Sequence, residues 1–268
     1  MNRVYQNILQ DFKLGLYDSI RIDKLCKIIL HDTKIFNCLY KIIKYNITLY
    51  LIPYLVVSLI NLLIGFNLFV LLSWLIYPID ILSCFFHILQ YIDLISCINK
   101  YTTRPTTNKN NMNYLSLSIT MTIYQLVIFI TTIILDFIFK NKLNYFSVVL
   151  KILILSIYHS FYCFNNLWQY KQITLYHRID IHEKLWPYHL GFGFFATIIY
   201  VFNNDYWISG MYNIYMSILV CMPFINKTKY PNKHMEYNSI NLKPFLLIIK
   251  YIMDIVKKYL VFEILIHF

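Results

Sequence analysis

Residues 46–77 read NITLYLIPYLVVSLINLLIGFNLFVLLSWLIY and contain no charged side chain. A helix of about 20 apolar residues crosses the hydrocarbon core of a bilayer, so this stretch is long enough to cross with a tilt. Pro53 and Gly65 lie within it and favour a kink. A soluble core would not leave so long a stretch without charge. The stretch therefore predicts an all-α integral membrane protein.

The composition agrees with that class. Hydrophobic residues make up 59% of the 268 residues and charged residues 14%, whereas soluble domains carry about 45–50% and about 25%. The formal net charge is +11, but the basic residues lie in loops between apolar segments and no nucleic-acid-binding motif occurs. We therefore expect anionic lipid headgroups as partners, and not nucleic acid.

Further apolar segments follow the first one along the chain. They are residues 81–99, 114–139, 143–168, 186–203 and 206–225. Only residues 204–205 separate the last two, which predicts a hairpin at 186–225. Since such a hairpin can enter and leave the bilayer on one face, we predict four to six membrane-embedded helices. The polar stretch 102–113 is typical of a solvated loop.

The two ends of the chain are amphipathic. In residues 1–45, apolar side chains recur at a spacing of four and line one helix face: Ile8, Phe12, Leu16 and Ile20. In residues 244–268, an apolar stripe opposes Lys250, Lys257 and Lys258, which predicts a helix lying in the membrane interface. The chain therefore divides into a cytosolic N-terminal helical segment 1–45, a transmembrane domain 46–225 and a basic cytosolic tail 226–268.

The distribution of basic residues predicts the topology. Eight of the lysines and arginines lie in residues 1–45 and four in residues 226–243. Because basic residues near membrane spans favour the cytosolic side, we expect both termini in the cytosol and an even number of crossings.

One segment carries a family resemblance. Residues 160–193 read SFYCFNNLWQYKQITLYHRIDIHEKLWPYHLGFG and combine a Tyr-Cys-Phe run, a Trp, an Arg in a charged stretch, Trp-Pro-Tyr and Gly-Phe-Gly. The residues are Ser160, Tyr162, Cys163, Phe164, Trp168, Arg178, Trp186, Pro187, Tyr188, Gly191, Phe192 and Gly193. They resemble the signature of the etoposide-induced endoplasmic-reticulum membrane protein family. Two further runs resemble the same family: Phe12, Gly15, Asp18, Ser19 and Ile20, and Ile208, Ser209 and Gly210.

This resemblance implies a non-enzymatic, multi-pass protein of the endoplasmic reticulum that takes part in autophagy-linked membrane remodelling. Its implied partners are membrane lipids and other membrane or autophagy proteins. The family is also similar in fold to the CysZ sulfate permeases, which implies small-anion transport as an alternative function. His189 and the pair Asn165 and Asn166 depart from the family pattern, which puts partner binding in doubt.

Glycine and the Trp-Pro-Tyr run have structural interpretations of their own. Five glycines occur in the chain, and we expect Gly191, Gly193 and Gly210 to allow close approach of the hairpin arms or of a neighbouring helix, since small residues do so in membranes. Trp186, Pro187 and Tyr188 suit the first turn of a span at the interface. The alternative is that they form a partner or lipid site.

Polar side chains near the apolar segments are the other candidates. His177, Asp180, His182 and Glu183 favour a solvated, charged connector over a metal site. His87 and Asp93 are candidates for proton or anion coupling, because ionisable groups within membranes are usually functional. Asp80 and Asp136 lie near segment ends, where water reaches them.

No catalytic or ligand-binding pattern occurs in the sequence. The GxSxG, HExxH and P-loop patterns are absent, so we expect neither catalytic activity, nor a cofactor, nor a metal. The six cysteines are scattered without a CxxC pair, which suggests neither a zinc site nor a disulfide framework.

Overall fold

The computed structural model describes residues 2–64, 90–91, 93–98, 101, 130, 133–134, 144–171, 173–202, 206–226 and 239–240. Regular structure within these residues is helical, without a strand, so the prediction of an all-α chain is confirmed for them. The predictions for His87, Asp80, Asp136, the loop 102–113 and the amphipathic helix 244–268 lie outside the described residues.

Eight helices and one π-helical turn are described from end to end. They are α1 (Asn2–Ile20), α2 (Asp23–His31), α3 (Thr33–Asn46), the π turn (Ile47–Leu51), α4 (Ile52–Ile64), α5 (Asn144–Tyr170), α6 (Leu175–Lys184), α7 (Trp186–Val201) and α8 (Tyr206–Ile225).

Three helical stretches are long and apolar enough to cross a bilayer: Thr33–Leu63, Val148–Trp168 and Trp207–Ile225. They make the described part of the chain compatible with a membrane protein. The first arm of the predicted hairpin, α7, has 16 residues. At 1.5 Å per residue it is about 24 Å long, shorter than a hydrocarbon core of about 30 Å.

The first of these stretches is continuous through α3, the π turn and α4. Pro53 lacks an N–H and its ring crowds the carbonyl four residues earlier, and the π turn, Ile47–Leu51, lies immediately before α4. A π turn of this kind widens the helix and accommodates such a local mismatch. The helix therefore continues across residues 45 and 46, where the sequence predicted the boundary between the N-terminal segment and the transmembrane domain.

The α7 helix lies between α1 and α5. Gly191 and Gly193 are two positions apart, which is about 200° around an α-helix, so they face opposite sides. A methyl group on Gly191 would overlap the carbonyl oxygen of Phe12 in α1, and one on Gly193 would overlap that of Ser156 in α5. These two glycines therefore face the neighbouring helices α1 and α5, and not the second arm of the hairpin. The third, Gly210 in α8, faces the Tyr50 side chain of the π turn.

Candidate functional site

The N-terminal helix packs closely against the segment that contains the Trp-Pro-Tyr and Gly-Phe-Gly runs. Gly15 in α1 faces the carbonyl oxygen of Tyr188 in α7, and Gly191 in α7 faces that of Phe12 in α1. Because each helix presents its glycine to the backbone of the other, Cα–H groups can lie against carbonyl oxygens at the crossing. The α1 helix, which is amphipathic, therefore packs closely against α7.

Side chains from α7 and α8 hold the C-terminal end of α1. The Tyr188 hydroxyl donates to Asp18 Oδ2 at 3.0 Å, and Asn226 Nδ2 donates to the Asp18 carbonyl at 3.1 Å. The Tyr215 hydroxyl donates to the Ser19 carbonyl at 3.4 Å. Carbonyls in the last turn of a helix lack partners within the helix, and these side chains supply two of them. Burial raises the pKa of the Asp18 carboxyl, and the hydrogen bond from Tyr188 opposes that shift.

A buried hydrogen-bond chain joins α8, α5 and α7. The Thr197 hydroxyl donates to the Gly193 carbonyl at 3.0 Å and lies 2.8 Å from His159 Nδ1. It must therefore accept from that nitrogen, so His159 carries its proton on Nδ1 and its Nε2 accepts from the Tyr212 hydroxyl at 2.9 Å. This tautomer is assigned from the hydrogen bonds. The chain is complete and links three helices through one imidazole.

Two further imidazoles, those of His182 and His189, are in contact with their ring planes tilted by 42°. His182 Nε2 is 3.1 Å from the Ile157 carbonyl and His189 Nδ1 is 2.8 Å from Ser160 Oγ, while the two ring centroids are 4.0 Å apart. Since a carbonyl only accepts, His182 carries its proton on Nε2. Burial lowers the pKa of His182 to about 3, which makes this imidazole neutral at pH 7. The opposite nitrogens, His182 Nδ1 and His189 Nε2, form no hydrogen bond within the described part of the chain.

Aromatic rings of segment 160–193 surround the imidazole pair of His182 and His189. The Trp168 ring lies 6.2 Å from His182 and 5.8 Å from His189, between centroids, and also contacts Phe161 and Phe164 at 5.7 and 5.6 Å. Two more signature residues, Tyr162 and Cys163, are buried on the same helix. The segment is therefore the centre of the core.

The Arg178 side chain stabilises the connection between α5 and α6 through hydrogen bonds. Its Nε donates to the Ile173 carbonyl at 2.6 Å and its Nη1 donates to Asn165 Oδ1 at 2.8 Å. One guanidinium thus joins a helix residue to the turn that follows that helix. Asn165 supplies one of these acceptors.

The stretch that was expected to be a solvated connector contains α6, which has one exposed face and one buried face. His177 is exposed and Asp180 pairs with the exposed Lys184 at 2.8 Å, but His182 and Glu183 are buried. The prediction is wrong for those two residues, because helical spacing places them on the inward side with Ile179 and not with the outer charges. Among the described residues, no group of three His, Cys, Asp or Glu could hold a metal ion.

Asp93, the candidate for proton or anion coupling, is exposed in the helical segment 93–98. His87, the second candidate for proton or anion coupling, is not among the described residues. In contrast, sequence reasoning missed the chain of Tyr212, His159 and Thr197. The available signal was a histidine in an otherwise apolar segment, which is the same signal that singled out His87.

The pair formed by Ser160 and His189 has the atoms of a nucleophile and a base. Both side chains are buried, with 0% and 1% of their surface exposed, so a substrate could not reach the hydroxyl. In this arrangement the pair is a hydrogen bond between α5 and α7. Residues of segment 160–193 therefore hold α5, α6 and α7 together at an aromatic and imidazole-rich centre.

These features define a helical protein whose described part has three apolar stretches of membrane length, two of which, Val148–Trp168 and Trp207–Ile225, pack against α7. The chain belongs to the family of the uncharacterized protein L211 of Acanthamoeba polyphaga mimivirus. The two are 39% identical over 251 residues, which cover 94% of this chain and 95% of that protein. No model of a known protein family and no solved structure matches the chain.

Proposed function

We propose that the protein is a non-enzymatic integral membrane protein of the endoplasmic reticulum. It resembles the etoposide-induced family, has four to six membrane-embedded helices and keeps both termini in the cytosol. It acts in autophagy-linked membrane remodelling through contacts with lipids or with other membrane proteins.

The observation that carries this proposal is the crossing of α1 and α7. The resemblance rests on two separate runs, one around Gly15 and Asp18 and the other around Tyr188 and Gly191. The two runs meet at the glycine crossing, where the Tyr188 hydroxyl donates to Asp18, 170 residues earlier in the chain. A resemblance whose distant parts form one packed unit supports a shared fold more strongly than either run alone.

The outer face of α3 supports the lipid contacts. The rings of Phe36 and Tyr40 stack on this face with centroids 6.2 Å apart, and Lys34, Lys41 and Lys44 are exposed beside them. Aromatic rings and lysines at the beginning of a span suit the headgroup region, where the lysines attract anionic lipids.

The α4 helix continues this surface with apolar side chains. Leu55, Leu59, Leu62 and Leu63 have 55–82% of their surface exposed. Contiguous apolar surface of this kind is rare on soluble monomers and is typical of an interaction surface. Lipid chains would cover it directly beyond the basic headgroup-facing part of α3.

The electrostatics of the core disfavour the alternative, small-anion transport. An anion path requires buried cations or helix N-termini facing the membrane interior. Among the described residues, no lysine or arginine side chain is buried, and the buried His182 is neutral because its pKa is lowered. Lys151, in the span Val148–Trp168, is only partly buried, so the described residues offer an anion no fully buried cationic side chain.

Lipid preference tests the proposed contacts. The full chain would be placed in nanodiscs of phosphatidylcholine, and binding of a fluorescent phosphatidylserine would be titrated. Replacing Lys34, Lys41 and Lys44 together by Gln should weaken binding by up to about 100-fold, since each basic residue near the surface contributes about 1 kcal/mol. Lys184→Gln, which also removes an exposed cation, is the matched control. Equal binding by both variants would contradict the role of α3.

The cellular part of the proposal needs its own assay. A tagged chain expressed in cultured eukaryotic cells should colocalise with an endoplasmic-reticulum marker and change the number of autophagosomes on starvation. Protease added to sealed microsomes should remove a tag at either terminus. In parallel, proteoliposomes would be loaded with radiolabelled sulfate. Saturable sulfate flux without an effect on autophagosomes would favour the transporter and reject the remodelling function.

A further inference from the structure

Two cysteines from distant parts of the chain meet at the edge of the helical core. Cys38 lies in α3 and Cys97 in the helical segment 93–98, and their Sγ atoms are 3.9 Å apart although the residues are 59 positions apart. Both side chains are partly exposed. We propose that Cys38 and Cys97 form a redox-modification site, which small-molecule disulfides such as oxidised glutathione convert into a reversible intramolecular disulfide.

The positions of the other described cysteines make this pairing selective. Cys163 and Cys221 are buried and Cys26 is exposed on α2. A disulfide requires an Sγ–Sγ distance of about 2.05 Å, so the sulfurs of Cys38 and Cys97 must approach each other by about 2 Å. Rotation of the two partly exposed thiols can supply that change while the helices stay in contact.

The reaction is a pair of thiol–disulfide exchanges. The thiolate of one cysteine attacks a sulfur of oxidised glutathione, which forms a mixed disulfide and releases one glutathione thiolate. The thiolate of the second cysteine then attacks the protein sulfur of the mixed disulfide and releases the other glutathione. Two protein thiols are oxidised, one small disulfide is reduced to two thiols, and the two protons lost by the cysteines are taken up by the released thiolates.

The pair lies at the edge of the hydrophobic core, where both thiols are partly exposed. Lys41 lies one turn after Cys38 and Asp93 lies one turn before Cys97, and both are exposed, so solvent reaches this edge of the core. The Cys38–Cys97 bond would tie the beginning of the first candidate span to segment 93–98. The bond would add a covalent link between two segments whose buried side chains, such as Leu39 and Leu94, already share one hydrophobic core.

Mass spectrometry of the full chain in detergent tests the proposal. A Cys26→Ser background removes the exposed thiol that would otherwise form its own adduct. After incubation with oxidised glutathione, we expect a digest to contain a cross-linked peptide pair joining Cys38 and Cys97, which disappears on reduction. In the same background, Cys38→Ser should instead trap a stable glutathione adduct on Cys97, and Cys97→Ser should trap one on Cys38.

Other outcomes would overturn the proposal. These are stable glutathione adducts on both cysteines of the background chain, unmodified thiols at both positions, or a cross-link between two chains that appears as a dimer on a non-reducing gel. All three outcomes are measured on the background chain, in which Cys38 and Cys97 are both present. They therefore do not depend on whether either serine variant folds.

Discussion

The packing of α7 against α5 predicts that adding one methyl group at Gly193 destabilises the protein. A Cβ at this position would overlap the Ser156 carbonyl oxygen and lie 2.8 Å from its carbonyl carbon and 3.1 Å from its Cα. All three are backbone atoms of a helix, so they cannot rotate away as a side chain could. In Gly193→Ala, the two helices must therefore separate.

The net effect follows from two opposing contributions. Overpacking costs about 1–3 kcal/mol, and overlap with three backbone atoms places Gly193→Ala near the upper end, at about 3 kcal/mol. Alanine is a better helix former than glycine by about 1 kcal/mol. We expect the free energy of unfolding to fall by about 2 kcal/mol, which lowers Tm by about 4–8 °C for a protein of roughly this size.

Thermal unfolding of the purified chain in detergent measures this change. Asp180→Asn is the control, because it removes only the partly exposed ion pair with Lys184, which contributes at most about 0.5 kcal/mol. The larger Gly193→Leu should melt below Gly193→Ala. If Gly193→Ala melted at or above the wild-type temperature, helix propensity would outweigh the contact, and the close approach of α5 and α7 would be refuted.

Three further changes test other contacts in the described part of the chain. Tyr188→Phe removes the hydrogen bond to Asp18 and should lower the free energy of unfolding by about 1 kcal/mol; an unchanged urea midpoint would contradict that contact. Arg178→Lys replaces the forked guanidinium by a single ammonium group, which cannot donate to both Ile173 and Asn165. This substitution should also lower the free energy of unfolding by about 1 kcal/mol, as measured by the urea midpoint. Because the pKa of His182 is lowered from its ordinary value of 6.5, we expect stability to decline as the pH falls below 6.5. Below that pH the unfolded chain takes up a proton that the folded chain does not. The contribution of His182 to stability is fully present above pH 6.5 and decreases towards pH 3. At pH 5 the loss is about 2 kcal/mol. A Tm that stays constant between pH 7.5 and 5 would contradict this prediction.

Helical class and membrane character could be predicted from the sequence because both depend on local properties. An uncharged run such as residues 46–77 satisfies its backbone hydrogen bonds only within a helix if lipid surrounds it. Similarly, the buried residues of α3 recur every three or four positions: Ile35, Leu39, Ile42 and Asn46. Such periodicity is visible without knowing any partner helix.

The stretch around His177, Asp180, His182 and Glu183 was predicted to be a solvated connector, and this failed for His182 and Glu183 for a related reason. Composition marks this stretch as polar, and the outer charges Asp180 and Lys184 agree with that. Composition does not distinguish the inner face of the same helix, where the imidazole of His182 finds an acceptor in the Ile157 carbonyl. Polarity predicts exposure only where no buried partner exists, and such partners come from other parts of the chain.

Which helices meet was decided by the tertiary structure alone. The sequence marked Gly191 and Gly193 as positions of close approach, and their spacing places them on opposite faces of one helix. It could not show that those faces meet α1 and α5, because Gly15 is more than 170 residues from Gly191. The contacts of Tyr188 with Asp18 and of Cys38 with Cys97 likewise join residues 170 and 59 positions apart. Helix-forming tendency is a property of neighbouring residues, whereas these pairs depend on how complete helix surfaces fit together, and that fit has no local signature in the sequence.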